Sequence, residues 1–193
     1  MNVIIIDYGA GNIQSIQFAF QRLGINARLS NSIEEILSAD KVIFPGVGEA
    51  SQAMQMLEKS KLDLIIPTLK QDVLGICLGM QLLCKHSEEG NTKGLGIFDV
   101  DVKRFSSAVK VPQMGWNTIQ NLQSDLLKNI PEESYMYSVH SYYASIGKQT
   151  IARSQYDLEF SAALQSDNFY GVQFHPEKSS KDGAQLLQNF LNL

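Results

Sequence analysis

The chain has 193 residues, room for one sizeable domain but not for two full-sized ones. Lys and Arg number 16 against 20 Asp and Glu, a formal charge of −4 that excludes the basic footprint needed to hold nucleic acid or an anionic membrane. Hydrophobic residues reach 44% and charged residues only 19%, so the chain can bury a real core and some surface is expected to be covered by a partner.

The first aliphatic run, Val3 to Ile6, is ended by Asp7 and has no basic segment before it. No run approaches the ~18 apolar residues of a membrane span. A cytoplasmic protein without signal peptide is therefore expected.

In chain order, Val3-Ile4-Ile5-Ile6 predicts a strand buried on both faces. Ile13, Ile16, Gln17, Phe20 and Leu23 recur at helical spacing until Gly24. A second strand is expected at 26–29, and Ser32 with Glu35 forms a capping box for a short helix ending at Leu37. Lys41-Val42-Ile43-Phe44 is another buried strand, ended by Pro45-Gly46-Val47-Gly48 and followed by a helix with Ala50, Ala53, Met54 and Leu57 on one side. Val73-Leu74-Gly75-Ile76 runs directly into Cys77 and a helix expected over 78–85.

From about Ile97 the texture changes to short β-prone runs, at 97–105, 117–119, 135–139, 151–153, 162–165 and 170–174. Ser179 or Ser180 can cap a closing helix with Ala184, Leu187, Phe190 and Leu191 inward. The expected fold is α/β: a mostly parallel, doubly wound sheet with flanking helices and an antiparallel extension in the C-terminal half, one domain over residues 1–193.

Gly75-Ile76-Cys77-Leu78-Gly79 carries the strongest chemical signal. It sets a nucleophile between a buried strand and a helix with a glycine two positions to either side, the sulfur counterpart of the Gly-x-Ser-x-Gly elbow. The helix behind it would aim N–H groups and its positive end at the sulfur, favouring the thiolate and offering donors to an oxyanion. A buried structural thiol is the plain alternative for Cys77. Cys84, among Leu82, Leu83 and Lys85, is assigned to packing. If both cysteines lie on the elbow and its helix, seven helical rises separate them by roughly 10 Å, too far for a disulfide.

His175-Pro176-Glu177 follows the apolar run 170–174, and Pro176 favours extended backbone at His175. Positions two apart on an extended segment share a side, so Glu177 can fix one ring nitrogen and leave the other to serve a thiol. A lone surface ion pair is the alternative reading. One elbow cysteine together with one such His-x-Glu favours a Cys77–His175–Glu177 triad. His86, expected near the end of the elbow helix, is explained by the helix dipole, and His140 reads as a satisfied histidine of a cleft wall. No His, Cys or acid set has ligand spacing, so neither metal nor cofactor is expected. Pro45-Gly46-Val47-Gly48 sits where α/β proteins place ligand loops, and its glycines permit a peptide flip, but no Gly-Lys-Ser/Thr follows to make a phosphate loop.

With His175-Pro176-Glu177 98 residues beyond Cys77 of Gly75-Ile76-Cys77-Leu78-Gly79-Met80-Gln81, the chain resembles the class I, triad-type glutamine amidotransferases. Within them it is similar to the glutaminase subunits that serve a cyclase in histidine biosynthesis. Further segments carry the resemblance: Asp7-Tyr8-Gly9-Ala10-Gly11-Asn12, Gly94-Leu95-Gly96, Val111-Pro112-Gln113-Met114-Gly115-Trp116-Asn117 and Val139-His140-Ser141-Tyr142. Gln113 departs softly, since some members carry His there.

The resemblance implies that Cys77 attacks the glutamine amide, with His175 as base and Glu177 as its orienter. The Leu78 amide and, after rearrangement, an amide of the Gly46-Val47-Gly48 loop would hold the oxyanion. Gly48, Gln81 and the backbone around Ser141 and Tyr142 would position the substrate. Asn12, Trp116, Tyr137 and Lys178 would lie on or near the face that meets the cyclase, a (β/α)8 barrel that takes the ammonia. A stand-alone γ-glutamyl hydrolase, a glutaminase for a different synthase, or a regulatory module with an idle triad are the competing readings.

Overall fold

The computed structural model describes residues 1–9 and 12–193. Ala10 and Gly11 of the first family-like segment lie outside the described residues.

Strands β1 (Val3–Ile6), β2 (Arg28–Ser30), β3 (Lys41–Phe44) and β4 (Asp72–Ile76) alternate with helices α1 (Ile13–Arg22), α2 (Ile33–Leu37), α3 (Ala50–Ser60) and the short α4 (Leu62–Ile65). The four strands lie in the order β2-β1-β3-β4, all parallel, as the strand–helix alternation predicts, although β2 falls at Arg28–Ser30 and not at 26–29 and is largely exposed. Helix α5 (Leu78–Leu83) follows β4 at once and leads into β5 (Cys84–Ser87) and β6 (Thr92–Lys93). Then come β7 (Phe98–Arg104), β8 (Gln113–Thr118), β9 (Tyr135–His140), β10 (Tyr142–Ala144), β11 (Thr150–Gln155), β12 (Glu159–Ser166), β13 (Phe169–Val172) and α6 (Ser180–Asn192).

The last strand, β13, returns to the centre and pairs parallel with β4, so the sheet continues β4-β13-β12-β10-β7-β5-β6. The joins β13–β12, β12–β10 and β10–β7 are antiparallel, which is the expected extension, although β5 pairs parallel with β7. Strands β8 and β9 form a separate two-stranded ribbon.

The central strands are buried throughout, and their alternate side chains make a core on each face. Val3 and Ile5 of β1, Ile43 of β3 and Leu74 of β4 pack with Ile16 and Phe20 of α1 and Leu187 and Phe190 of α6. Ile4, Ile6, Val42, Phe44 and Val73 pack on the other face with Ala53 and Leu57 of α3 and Met80 of α5. Each such side chain taken from water contributes roughly 1.5–3 kcal/mol, which is why a chain poor in charge holds this sheet.

Several local expectations are corrected. The elbow helix stops at Leu83, not Lys85, because a distant segment takes its carbonyls: Leu95 N–H donates to Leu82 (2.8 Å), Ile97 to Leu83 (2.9 Å) and Gly96 to Cys84 (3.1 Å). A Cβ at Gly94 would collide with the Cys84 carbonyl oxygen, which accounts for the glycine there. His86 consequently sits on strand β5, its Nε2 2.9 Å from Asn91 Oδ1, and not at a helix end. The two cysteines are both buried and free.

Only half of the capping box forms. Ser32 Oγ accepts from Glu35 N at 3.4 Å, while the Glu35 carboxylate turns to Ser30 and Arg28. The hydroxyl of Ser179, the N-cap of α6, makes no cap bond; it donates to the His175 carbonyl (2.6 Å) and accepts from Tyr137 N (2.9 Å). That hydroxyl therefore ties the His175 segment to β9.

Candidate active site

Cys77 sits between β4 and α5 with φ 54° and ψ −111°, a conformation L residues rarely hold. The glycines around it answer to close approach. A Cβ at Gly75 would lie 2.8 Å from Leu83 Cδ1, and one at Gly79 would strike the carbonyl of Phe44 at the end of β3. The backbone N–H of Cys77 donates to Val172 at 2.8 Å, so β13 braces the elbow and, three residues on, delivers His175.

The N–H of His175 donates to the Tyr137 carbonyl at 2.8 Å, anchoring its extended backbone to the ribbon. Glu177 Oε1 lies 2.8 Å from His175 Nδ1. The route differs from the predicted one: residues Pro176–Lys178 form a 3-10 turn, and it is the turn rather than a strand pleat that brings the carboxylate back to the ring. The Glu177 side chain is only 1% exposed, and its Oε2 has no protein partner.

With Nδ1 held by Glu177, Nε2 is the ring nitrogen left to serve the sulfur. Burial lowers the pKa of His175, but hydrogen bonds to Cys77 and Glu177 and their charges outweigh it and push it up to about 10. His140 shows the opposite balance. Burial, assisted by the charge of His175, brings it down to about 4 against the hydrogen bond to the Tyr142 carbonyl (2.7 Å). His140 is therefore a neutral wall histidine with only Nδ1 satisfied; its buried Nε2 has no partner.

A cleft of about 440 Å³ opens over Cys77 and His175 at the carboxyl ends of the parallel strands, where open α/β sheets bind ligands. Val47, Gly48, Leu78, Gln81, Ser141 and Tyr142 line it, with Asn12 and Lys178 also in its wall. Gly46 does not. It is the buried first residue of the loop, where a Cβ would come 2.6 Å from Gly79 N, and Tyr8 Oη donates to the neighbouring Pro45 carbonyl at 2.8 Å. Gly48, at φ +99°, needs the left-handed freedom of glycine.

Trp116 and Tyr137 are outside this cleft, opposite each other across the ribbon with rings 6.0 Å apart. Lys178 Nζ lies 5.8 Å from the Tyr137 ring centroid, and Trp116 is 53% exposed.

Glu89 escaped the sequence reading although it lines the cleft. Its carboxylate accepts from Ala50 N at 2.9 Å, and burial, opposed by that bond and assisted by the charge of Glu49, raises its pKa. The signal was an acidic pair in a loop just after the elbow element, but only the folding of that loop over α3 shows which carboxylate faces in. Among the described residues no three His, Cys, Asp or Glu side chains are grouped to hold a metal, and no helix is long and apolar enough to cross a membrane.

A cysteine on a strained strand-to-helix elbow, beside a histidine backed by a buried carboxylate, is equipped for acyl transfer through a thioester. A family model, glutamine amidotransferase class-I, matches residues 4–193. Imidazole glycerol phosphate synthase subunit HisH of Bacteroides fragilis is 53% identical over 196 residues, with all of both chains covered. The same-named subunit of Haemophilus influenzae is 47% identical over 193 residues, covering 99% of this chain and 97% of that one. Two solved structures share the fold: PurLQS from Thermotoga maritima, 18% identical with TM-score 0.77 over 99% of this chain and 97% of that chain, and a glutamine amidotransferase from the same organism, 17% identical with TM-score 0.65 over 100% and 83%. The chain belongs to the class I glutamine amidotransferases, in the family of imidazole glycerol phosphate synthase subunit HisH.

Proposed function

We propose that this single domain hydrolyses glutamine at Cys77 and hands the ammonia to a cyclase subunit docked over the cleft. The observation that carries the chemistry is that Cys77 and His175 line one cleft while Glu177 holds His175 Nδ1 from behind at 2.8 Å.

The Cys77 thiolate attacks the side-chain carbonyl carbon of glutamine. The negative charge that develops on the carbonyl oxygen is met by the Leu78 N–H and, once the loop rearranges, by an N–H at Gly46 or Val47. His175, carrying the proton taken from the thiol, gives it to the departing amide nitrogen, and ammonia leaves a γ-glutamyl thioester. Water, losing its proton to the same imidazole, then attacks the thioester and releases glutamate.

Recognition of the amino-acid end suits the polar groups at the cleft. Both amide hydrogens of Gln81 are committed, to Tyr142 O and Gln173 Oε1 at 2.9 Å each, so Gln81 offers its carbonyl oxygen. That acceptor and the Glu89 carboxylate suit an α-ammonium group, while Gly48 and the backbone at Ser141 and Tyr142 leave room for the rest.

The family and the surface both support an acceptor enzyme at this face. In bulk water ammonia is protonated and lost, and the cleft walls carry Asn12 and Lys178 toward a face where Met114, Trp116 and Tyr135 are exposed. A (β/α)8-barrel cyclase covering that face, with Asn12, Trp116, Tyr137 and Lys178 in the contact, would use the ammonia to make imidazole glycerol phosphate and aminoimidazole carboxamide ribotide in the cytoplasm. The test is glutamate release by the purified chain, with and without the cyclase and its nucleotide substrate. Weak activity alone and strong stimulation by both are expected. Full activity alone on γ-glutamyl substrates would identify a stand-alone hydrolase instead.

A further inference from the structure

Besides the imidazole of His175, the Cys77 sulfur has two polar neighbours at 3.8 Å: the Val139 carbonyl oxygen and Nε2 of Gln173. They pull in opposite directions. A carbonyl only accepts, so Val139 favours the protonated thiol; an amide N–H donates, so Gln173 favours the thiolate.

Gln173 is only 1% exposed, and nothing in the reaction above uses it. Its Oε1 accepts from Gln81 Nε2 at 2.9 Å, and the same nitrogen donates to the Tyr142 carbonyl at 2.9 Å. Amide nitrogen and oxygen are assigned from their partners, and here the backbone decides the assignment. Tyr142 O carries no proton, so the Gln81 atom facing it is the NH2 group. That group also faces Gln173, so the Gln173 atom there is the oxygen. The NH2 group of Gln173 is left pointing at sulfur. A single backbone carbonyl thus sets the polarity of two buried amides and ends as a donor on the nucleophile. His140, whose Nδ1 donates to the same carbonyl at 2.7 Å, holds the start of the relay from the other side.

We propose that Gln173 is a positioning residue for Cys77, its amide N–H held by Gln81 and the Tyr142 carbonyl so as to orient the sulfur and stabilise it as the attacking anion. The inference rests on the reading of Cys77 as the nucleophile. It also explains why Gln81 is buried although it borders the cleft: its hydrogens orient Gln173, and only its oxygen faces substrate.

The experiment is alkylation of Cys77 by iodoacetamide in the full-length chain, followed by mass spectrometry of the Cys77 peptide, with glutaminase kinetics on the cyclase complex in parallel. Cys84 is fully buried and serves as an internal control. Gln173→Met is expected to slow alkylation at pH 7 about tenfold, the scale of a lost hydrogen bond to an anion. The difference should close at high pH, where every thiol ionises. In the complex kcat falls while KM for glutamine stays within about twofold.

Gln173→Glu keeps the side-chain volume and the bond from Gln81 but sets a carboxylate against the sulfur, and is expected to be slower still; if the methionine variant does not fold, this one decides. Alkylation within about twofold of the parent at every pH in the folded variants would overturn the proposal and leave Gln173 as a filler of the core. A parent Cys77 no more reactive than free cysteine would instead overturn the nucleophile reading, and this one with it.

Discussion

The carboxylate of Glu177 meets Nδ1 of His175 at 2.8 Å from inside a 3-10 turn, a geometry in which one oxygen is engaged and the other is buried without a partner. The engaged oxygen favours a proton on Nδ1 and leaves Nε2 as the free ring nitrogen, which the proposed reaction assigns to Cys77. Glu177→Gln keeps the shape but allows the amide to present its NH2 group to Nδ1 and so favour the wrong tautomer. By analogy with carboxylate-to-amide changes in other triads, glutaminase kcat is expected to fall about 10³-fold or more with KM little changed. Steady-state kinetics on the cyclase complex check this, and a loss of less than about tenfold would mean the carboxylate merely packs.

Glu89 separates binding from chemistry. If its carboxylate meets the substrate ammonium, Glu89→Gln raises KM for glutamine about 10- to 100-fold and leaves kcat nearly unchanged, the pattern of uniform binding. Binding of glutamate, measured by calorimetry on the isolated chain, should weaken in parallel. A change confined to kcat would place Glu89 in the catalytic step instead.

His140 ties stability to acid. Its folded pKa of about 4 lies below the ordinary histidine value of 6.5, so between those pH values the unfolded chain binds a proton that the folded chain does not. The stability it carries is complete above pH 6.5 and is lost as pH falls from 6.5 through 4, by about 3 kcal/mol at most. Urea unfolding of the parent and of His140→Phe over that range measures the difference. The variant is expected to lose less stability on acidification, and parallel pH curves would show that His140 titrates freely.

What was legible in the chain was what depends on near neighbours. The Gly75 and Gly79 frame of Cys77 reads directly, because the steric demand of an elbow falls on residues two positions away. The alternation of Val3, Ile4, Ile5 and Ile6 between two cores reads as one continuous apolar run for the same reason. What stayed hidden depends on distant segments. Helix α5 stops early because residues 95–97, more than a turn beyond any local signal, take its last carbonyls. Strand β10 is three residues long and is defined by Arg104, Lys103 and Val102 opposite it, not by its own pattern. Gln173 looked like one polar residue in an apolar strand; its meaning is set by Gln81, 92 positions away.

The ribbon of β8 and β9 shows the same limit for partners. The resemblance put Trp116 and Tyr137 on or near a partner face, but no local pattern paired them; they face each other in register, with Trp116 exposed and Tyr137 half-buried.

The most direct test of the account is the cyclase complex carrying Cys77→Ala, assayed for product formation with glutamine and, separately, with ammonium salt at high pH. Loss of glutamine-dependent synthesis with ammonia-dependent synthesis retained is the predicted result. Equal loss of both, or survival of the glutamine reaction, would contradict a nucleophilic role for Cys77 in releasing ammonia.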